Sequence, residues 1–251
     1  MVADLVSTLR SKLLMEAFAS GEQKRQKFAL FVLDDIVEHL GPNYFGLLIT
    51  KFRKDCLQFV TSNTSSLRQA AAYGVGVIAK SSGPEHFGAI MEECLAALKA
   101  GIEKTPTAKI KEKKIKLNQF NHARDNAIAS LGKVIQYRQD TLATNPAMAG
   151  ELLQYWLNCL PITNDLEEAF SQVDYLADFV NTNLAGLAAA DPAATAHRLA
   201  LIFGEYFDDK YIFWEDDMKC EKAKACKLKI ANAVRLIMST PVISDAFKAT
   251  C

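Results

Sequence analysis

SLRQAAAYGVGVIAK, residues Ser66 to Lys80, carries the clearest structural signal in this sequence. Its apolar and small side chains recur every three or four residues, as on one stripe of an α-helix: Leu67, Ala70, Ala71, Gly74, Val75 and Ile78. The opposite side also carries small residues, namely Ala72, Gly76 and Ala79. Because glycine inside a helix costs roughly 1 kcal/mol relative to alanine, we expect close neighbours on more than one side of this helix.

A second segment, from Ala123 to Val134, repeats the same stripe and the same side chains. Arginine, alanine and glycine recur in register, pairing Arg68 with Arg124, Ala71 with Ala127, and Gly76 with Gly132. This internal repeat predicts stacked helical units. Its offset exceeds the roughly 40 to 47 residues typical of such units, so we expect a lysine-rich insertion at residues 105–120 that forms a mobile linker.

Composition and charge exclude several functional classes. The 251 residues are half hydrophobic, and 29 basic residues balance 29 acidic ones. The overall charge therefore does not indicate nucleic acid or an anionic membrane as a partner. No apolar run approaches the roughly 20 residues that span a bilayer. Charged residues interrupt the first 21 positions, where a signal peptide needs an apolar core, so we expect a cytosolic or nuclear chain.

The sequence offers no recognisable site for catalysis, a metal or a cofactor. Its six cysteines are spread out without a C-x-x-C pair, and the four histidines are scattered. We therefore expect reduced, structural cysteines and no zinc site. No phosphate-binding loop, G-x-S-x-G or H-E-x-x-H occurs. The expectation is a protein that is not an enzyme and needs no cofactor.

Further stripes predict about ten helices, and no segment alternates as a strand would. The predicted fold is all-α, an α-solenoid of about five helical hairpins in a right-handed superhelical array over residues 1–251. The expected segments are a leading helix at 1–20 and hairpins at 22–60, 64–104, 121–160, 164–207 and 218–248. Asn164 or Asp165 is expected to cap the helix that follows.

Three further interpretations concern particular side chains. The helix from Gln23 to Leu40 is expected to turn inward a row formed by Phe28, Phe31, Val32, Ile36 and Leu40. Its acidic residues lie near the helix C-terminus, where the dipole disfavours them, and either a basic partner or solvation explains Asp34, Asp35 and Glu38. The repeated Arg68 and Arg124 are expected to form an ion-pair ladder with carboxylates of the next repeat.

Several segments together resemble a known family. FVLDDIVEHLGP (Phe31–Pro42), LRQAAAYGVGVIAK (Leu67–Lys80) and YWLNCLPITNDLEEA (Tyr155–Ala169), with ARDNAIASLGKVI between them, resemble in order the C-terminal HEAT repeats of the importin-beta superfamily. The resemblance covers about residues 24–240. It implies a C-terminal fragment of a nuclear transport receptor, or karyopherin, because whole receptors are several times longer.

The resemblance also implies partners and a location. Such receptors bind basic import signals of cargo on the concave face and phenylalanine-glycine nucleoporins on the convex face, and they release cargo to RanGTP. The repeats that first engage Ran are not among these residues. A location in the cytoplasm, the nucleus and the nuclear pore follows. In this family the second helix of each pair lines the concave side, which gives as candidate cargo-binding residues Glu92, Glu93, Glu151, Gln154, Asn158, Glu205, Asp208 and Asp209.

Alternatives remain open at this point. Each candidate residue, taken singly, is also explained as part of a solvated helix face. Trp156 is expected in the core, whereas Tyr155 and Trp214 are expected to be partly buried or to stack on a peptide. The lysines of residues 109–116 suggest a solvated loop, a nuclear signal or a nucleic-acid patch. The alternative function is a HEAT-repeat scaffold that holds a larger complex together without a transport role.

Overall fold

The structure is a computed structural model that describes residues 13–40, 53–54, 56–188, 191–206 and 221–248. In these ranges all regular structure is helical and no strand occurs. The fold is all-α, of the α-solenoid type. The helices are α1 (Leu14–Ala19), α2 (Gln23–Leu40), α3 (Ser65–Ser81), α4 (Pro84–Gly88), α5 (Met91–Glu103), α6 (Ala108–Lys111), α7 (Lys114–Tyr137), α8 (Gln139–Leu142), α9 (Pro146–Cys159), α10 (Leu166–Leu187), α11 (Pro192–Tyr206), α12 (Glu221–Ser239) and α13 (Pro241–Lys248).

The chain forms two compact units, Met1–Leu153 and Gln154–Cys251, and the boundary falls within α9. Helix α3 is the centre of the first unit, because it packs against α2 and against α7. A Cβ placed on Gly74 would lie 2.4 Å from Oδ1 of Asp34, and one on Gly76 would lie 2.8 Å from Oγ of Ser130. The expected close neighbours on more than one side of α3 are confirmed.

Contacts between α2 and α3 show that these two helices run parallel. Asp34 of α2 lies against Gly74, and one turn further Glu38 pairs with Lys80 at 3.1 Å.

Between α3 and α7, the Arg68 guanidinium lies 4.5 Å from the centre of the Phe120 ring, near the start of both helices. Further along, the Ser130 hydroxyl donates to the Ala72 carbonyl oxygen at 2.6 Å. Residues far apart in sequence thus meet in the same order along both helices. The repeat inferred from the sequence corresponds to α3 and α7 lying side by side.

The inward face of α2 differs from the expectation. Phe28 is 68% exposed and Phe31 is 46% exposed, whereas the buried side chains are Ala29, Leu30, Leu33, Asp34 and Val37. Phe28 and Phe31 were therefore wrongly expected to face inward, whereas Val32 and Ile36 of the predicted row are half-buried and the Leu40 side chain is outside the described ones. Because α3 places glycine at the contact, α2 faces it with short and medium side chains, and the large phenylalanines turn outward.

The predicted lysine-rich linker is also partly wrong. Within residues 105–120, α6 forms and α7 begins at Lys114. Helix α7 thus starts seven residues before the predicted hairpin at 121–160. Lysine, leucine and glutamine are good helix formers even without an apolar stripe. The buried Phe120 packs this first part of α7 against the rest of the unit. The parts of the expected helices at residues 1–12, 41–52, 207 and 218–220 lie outside the described residues, and so does Trp214.

Arginines repeatedly bind main-chain oxygens near the end of an earlier helix. Arg124 donates to Ile102 O, one residue before the end of α5, at 3.3 Å. Arg68 donates to Ser62 O, in the turn that precedes α3, at 2.8 Å. The last carbonyls of a helix lack intrahelical partners, and a guanidinium supplies the missing donors. The expected ladder of Arg68 and Arg124 with carboxylates is wrong within the described residues.

Two later arginines do the same. Arg138 donates to Ser82 O at the end of α3. Arg198 donates to Leu157 O at 2.8 Å, to Asn158 O at 3.0 Å and to Leu160 O, all at the end of α9. The arginine caps of Arg124, Arg138 and Arg198 thus tie α7 to α5, α7 to α3 and α11 to α9 through main-chain oxygens.

The second unit has its own core and polar ties. Trp156 is fully buried, as expected, with its ring centre 5.7 Å from that of Tyr175. The expected cap on α10 comes from Asp165, whose side chain accepts from Glu168 N at 3.3 Å.

Helices α10 and α12 are tied by Lys229, which donates to Asp174 at 2.9 Å and to Asp178 at 2.7 Å. Burial alone would lower the pKa of Lys229, but the hydrogen bonds to both carboxylates outweigh it and raise that pKa. Lys229 therefore stays charged at neutral pH.

Gly74→Ala is expected to destabilise the chain by about 1–3 kcal/mol, although alanine is the better helix former. Its Cβ would overlap Oδ1 of the buried Asp34. Gly150→Ala is the matched control, because nothing lies within 4 Å of a Cβ there, and it should stabilise by up to about 1 kcal/mol. Urea unfolding followed by circular dichroism compares the two, and equal stabilisation would contradict the close approach of α2 and α3.

Arg198→Ala is expected to cost about 1–3 kcal/mol of unfolding free energy, because buried carbonyl oxygens lose their donors. Arg235→Ala is the control, since that exposed side chain bonds to Asn232 on the same helix, and its effect should stay within about 0.5 kcal/mol. Arg198→Lys should recover only part of the loss, because an ammonium group lacks the planar fork. Similar midpoints for Arg198→Ala and Arg235→Ala in urea would rule out a capping role.

Candidate functional site

A polar cleft of about 500 Å³ opens on the first unit. It lies where the end of α4 and the first turn of α5 face the connection from α8 to α9. Its lining consists of Gly88, Ala89, Met91, Glu92, Glu93, Thr141, Thr144, Asn145 and Met148. Two of the predicted cargo-binding residues, Glu92 and Glu93, are therefore brought together on one wall.

The two carboxylates of the cleft are exposed and only lightly engaged. Glu93 pairs with Arg53 at 3.3 Å, with both side chains substantially exposed. Both glutamates lie in the first turn of α5, where the helix dipole favours negative charge. This placement stabilises the helix in any case, and it also holds two acceptors at fixed positions for an incoming ammonium or guanidinium group.

The opposite wall supplies hydroxyl, amide and thioether groups. Thr144 donates its hydroxyl to Thr141 O at 2.7 Å, and Asn145 Oδ1 accepts from Met148 N at 3.2 Å. These bonds are local to the connection and fix its own conformation. The arrangement suits an extended chain whose cationic side chains reach the carboxylates while its backbone passes the polar wall.

The sequence did not indicate the residues of this second wall. Thr141, Thr144 and Asn145 precede Pro146 in what reads as an ordinary helix connection. The only available signal was the cluster of polar turn residues before that proline. Their role depends on which helix they face, and that is a matter of tertiary packing.

The remaining predicted residues do not line the cleft. Glu151, Gln154 and Asn158 follow one another on α9 at spacings of three and four residues, so they share one face of that helix. Glu151 and Asn158 are exposed and Gln154 is half-buried. Glu205 is half-buried near the end of α11, while Asp208 and Asp209 lie outside the described residues. For these positions cargo binding stays a prediction.

Asp34 is buried, so solvation does not explain this acidic residue of α2. It is 6% exposed and its Oδ2 has no hydrogen-bond partner within the described part of the chain. It lines a cavity of only about 10 Å³ together with Arg53, Cys56 and Cys94. Burial, with smaller contributions from the charges of Asp35 and Glu38, raises the pKa of Asp34 well above its ordinary value.

Four cysteines of the described ranges, Cys56, Cys94, Cys159 and Cys226, are thiols that form no disulfide. Burial raises the pKa of Cys94 to about 12. A thiol with such a pKa is protonated and unreactive at neutral pH. Within those ranges no group of three or more histidine, cysteine or acidic residues is placed to hold a metal ion. Nor does any described helix combine the length and hydropathy needed to cross a bilayer.

The buried Asp34 gives a pH-dependent prediction. Because its folded-state pKa is raised, the folded chain binds this proton more tightly, and stability should fall as the pH rises from about 4 toward neutrality. Asp34→Asn is expected to raise the urea midpoint at pH 7 and to leave it nearly unchanged near pH 4. An equal effect of Asp34→Asn at both pH values would contradict the buried carboxylate. Asp245→Asn, at an exposed position on α13 far along the chain from Asp34, is the control.

Comparison with known proteins gives a partial similarity. No protein-family model matches the chain. A protein of Dictyostelium discoideum, described as a probable importin-5 homolog, is 28% identical over 138 residues. That match spans 54% of this chain but only 12% of the relative. The similarity supports a relation to importin-beta-like HEAT-repeat proteins and agrees with the observed helical repeats.

Proposed function

We propose that this chain is part of a nuclear transport receptor of the importin-beta type and binds basic segments of cargo proteins. The observation that carries the proposal is the cleft in which Glu92 and Glu93 face a polar wall on an α-solenoid. The partial similarity to a probable importin-5 homolog supports it. The role is binding rather than catalysis and needs no cofactor. Contacts with phenylalanine-glycine nucleoporins and RanGTP belong to the whole receptor, which would move between cytoplasm and nucleus.

The energetics favour an extended cargo segment with several cations. An exposed ion pair contributes only about 0.2–1 kcal/mol. One lysine on Glu92 and one on Glu93 therefore give modest affinity, and further contacts must come from neighbouring repeats. Such binding should weaken as salt screens the charges.

The test measures the affinity of a fluorescently labelled lysine-rich import-signal peptide by anisotropy at low and physiological salt. The double variant Glu92→Gln and Glu93→Gln is expected to weaken binding between about twofold and thirtyfold. The matched control replaces Glu16 and Glu167, two exposed glutamates in the first turns of α1 and α10. A peptide with alanine in place of lysine should bind to none of the proteins.

Two outcomes would overturn the proposal. Equal weakening by the cleft variant and the control variant would mean that only net charge matters. Absence of lysine-dependent binding to the folded chain would instead favour the scaffold alternative, in which these repeats hold a larger complex together. Circular dichroism of each variant confirms that the helices are retained.

A further inference from the structure

The proposed cargo cleft leaves unexplained the strongest local charge in the sequence. Residues 109–116, KIKEKKIK, contain five lysines and a single glutamate. The chain as a whole has a formal net charge of zero, so this basic segment is balanced by acidic residues elsewhere. Such a concentration in a neutral chain marks a surface with its own electrostatic preference.

The structure places this basic segment entirely at the surface. It comprises part of α6, the turn after it and the first residues of α7. Lys109, Lys111, Lys113, Lys114 and Lys116 are all exposed. None of them forms an ion pair within the described part of the chain. Like charges held this close repel one another, and an anionic partner would relieve that repulsion.

Apolar side chains lie among these lysines. Ile115 is 75% exposed, the largest exposed fraction among the large hydrophobic residues of the described ranges. Ile110 and Leu117 are half-buried on either side of it. A partner that only neutralised charge would leave these apolar groups in water. A partner that also carries apolar side chains would cover them.

Polynucleotide fits this surface less well than a peptide. Single-stranded nucleic acid is usually held by aromatic side chains on which bases stack. The basic segment contains no aromatic residue, and the nearest one along α7, Phe120, is buried beneath Arg68.

We propose that the basic segment is a docking surface for an acidic, extended segment of a partner protein in which carboxylates alternate with apolar side chains. The lysines pair with the carboxylates, and Ile115 packs against an apolar side chain between them.

This docking surface is separate from the acidic cleft. Glu92 and Glu93 lie in the first turn of α5, whereas the basic segment follows the last turn of that helix. The 13 residues of α5 span about 20 Å. One unit thus presents an anionic surface and a cationic surface at opposite ends of the same helix. The two surfaces select partners of opposite charge, so each is testable without the other.

The experiment uses a labelled peptide built from glutamate, aspartate and leucine, and a second peptide with serine in place of leucine. The triple variant Lys113→Gln, Lys114→Gln and Lys116→Gln is expected to weaken binding of the leucine peptide between about threefold and a hundredfold. Ile115→Ser is expected to weaken binding of the leucine peptide but not of the serine peptide. The double variant Glu92→Gln and Glu93→Gln should bind both peptides like the unmodified chain.

The matched control replaces Lys24, Lys222 and Lys248, three exposed lysines on other helices, and should bind like the unmodified chain. Equal weakening by both triple variants would overturn the proposal, because binding would then follow net charge. So would tighter binding of oligothymidine than of the leucine peptide at the same salt concentration, or an Ile115→Ser variant that binds both peptides normally. Failure here leaves the lysine-peptide assay of the cleft unaffected, so the two proposals can fail separately.

Discussion

The first unit depends on how closely α3 approaches its two neighbours. Gly74 and Gly76 lie on different sides of this helix, and a side chain at either would meet Asp34 or Ser130. This approach aligns α7 parallel to α3. Arg138, at the end of α7, then reaches Ser82 at the end of α3. The connection to α9 follows directly, and it forms the second wall of the cleft. The candidate site is therefore positioned by small residues that never touch it.

The sequence predicted the helices well wherever a stripe of apolar residues marked them, and it identified the repeat from Arg68 and Arg124. It failed at α2 because Phe28 and Phe31 look like core residues by hydrophobicity alone. Which face of α2 is buried depends on the glycine that faces it, and periodicity within one helix does not contain that information. The lysine-rich start of α7 was missed for a related reason, because a helix that projects into water needs no apolar stripe.

The candidate site was only half predictable. Glu92 and Glu93 were predicted as outward positions on the second helix of a pair, which the family resemblance implies lines the concave side. Thr141, Thr144 and Asn145 lie in or beside the connection from α8 to α9. Whether such residues line a site depends on which helix they face, and the sequence does not contain that information. Asp34 was unpredictable for a similar reason. A carboxylate near a helix end is expected in solvent, and its burial became evident only because the facing residue of α3 is Gly74, which has no side chain. Because burial raises the pKa of Asp34, we expect the stability of the first unit to depend on pH.

The arginine caps have a consequence for how this fold changes over time. An arginine that binds a main-chain oxygen makes no demand on the side chain of the residue it binds. Ser62, Ile102 and Leu157 have little in common, yet each supplies an oxygen to a later arginine. The residues that supply these oxygens can therefore be substituted without loss of the hydrogen bonds. An array built in this way can keep its architecture long after its sequence has ceased to resemble that of its relatives.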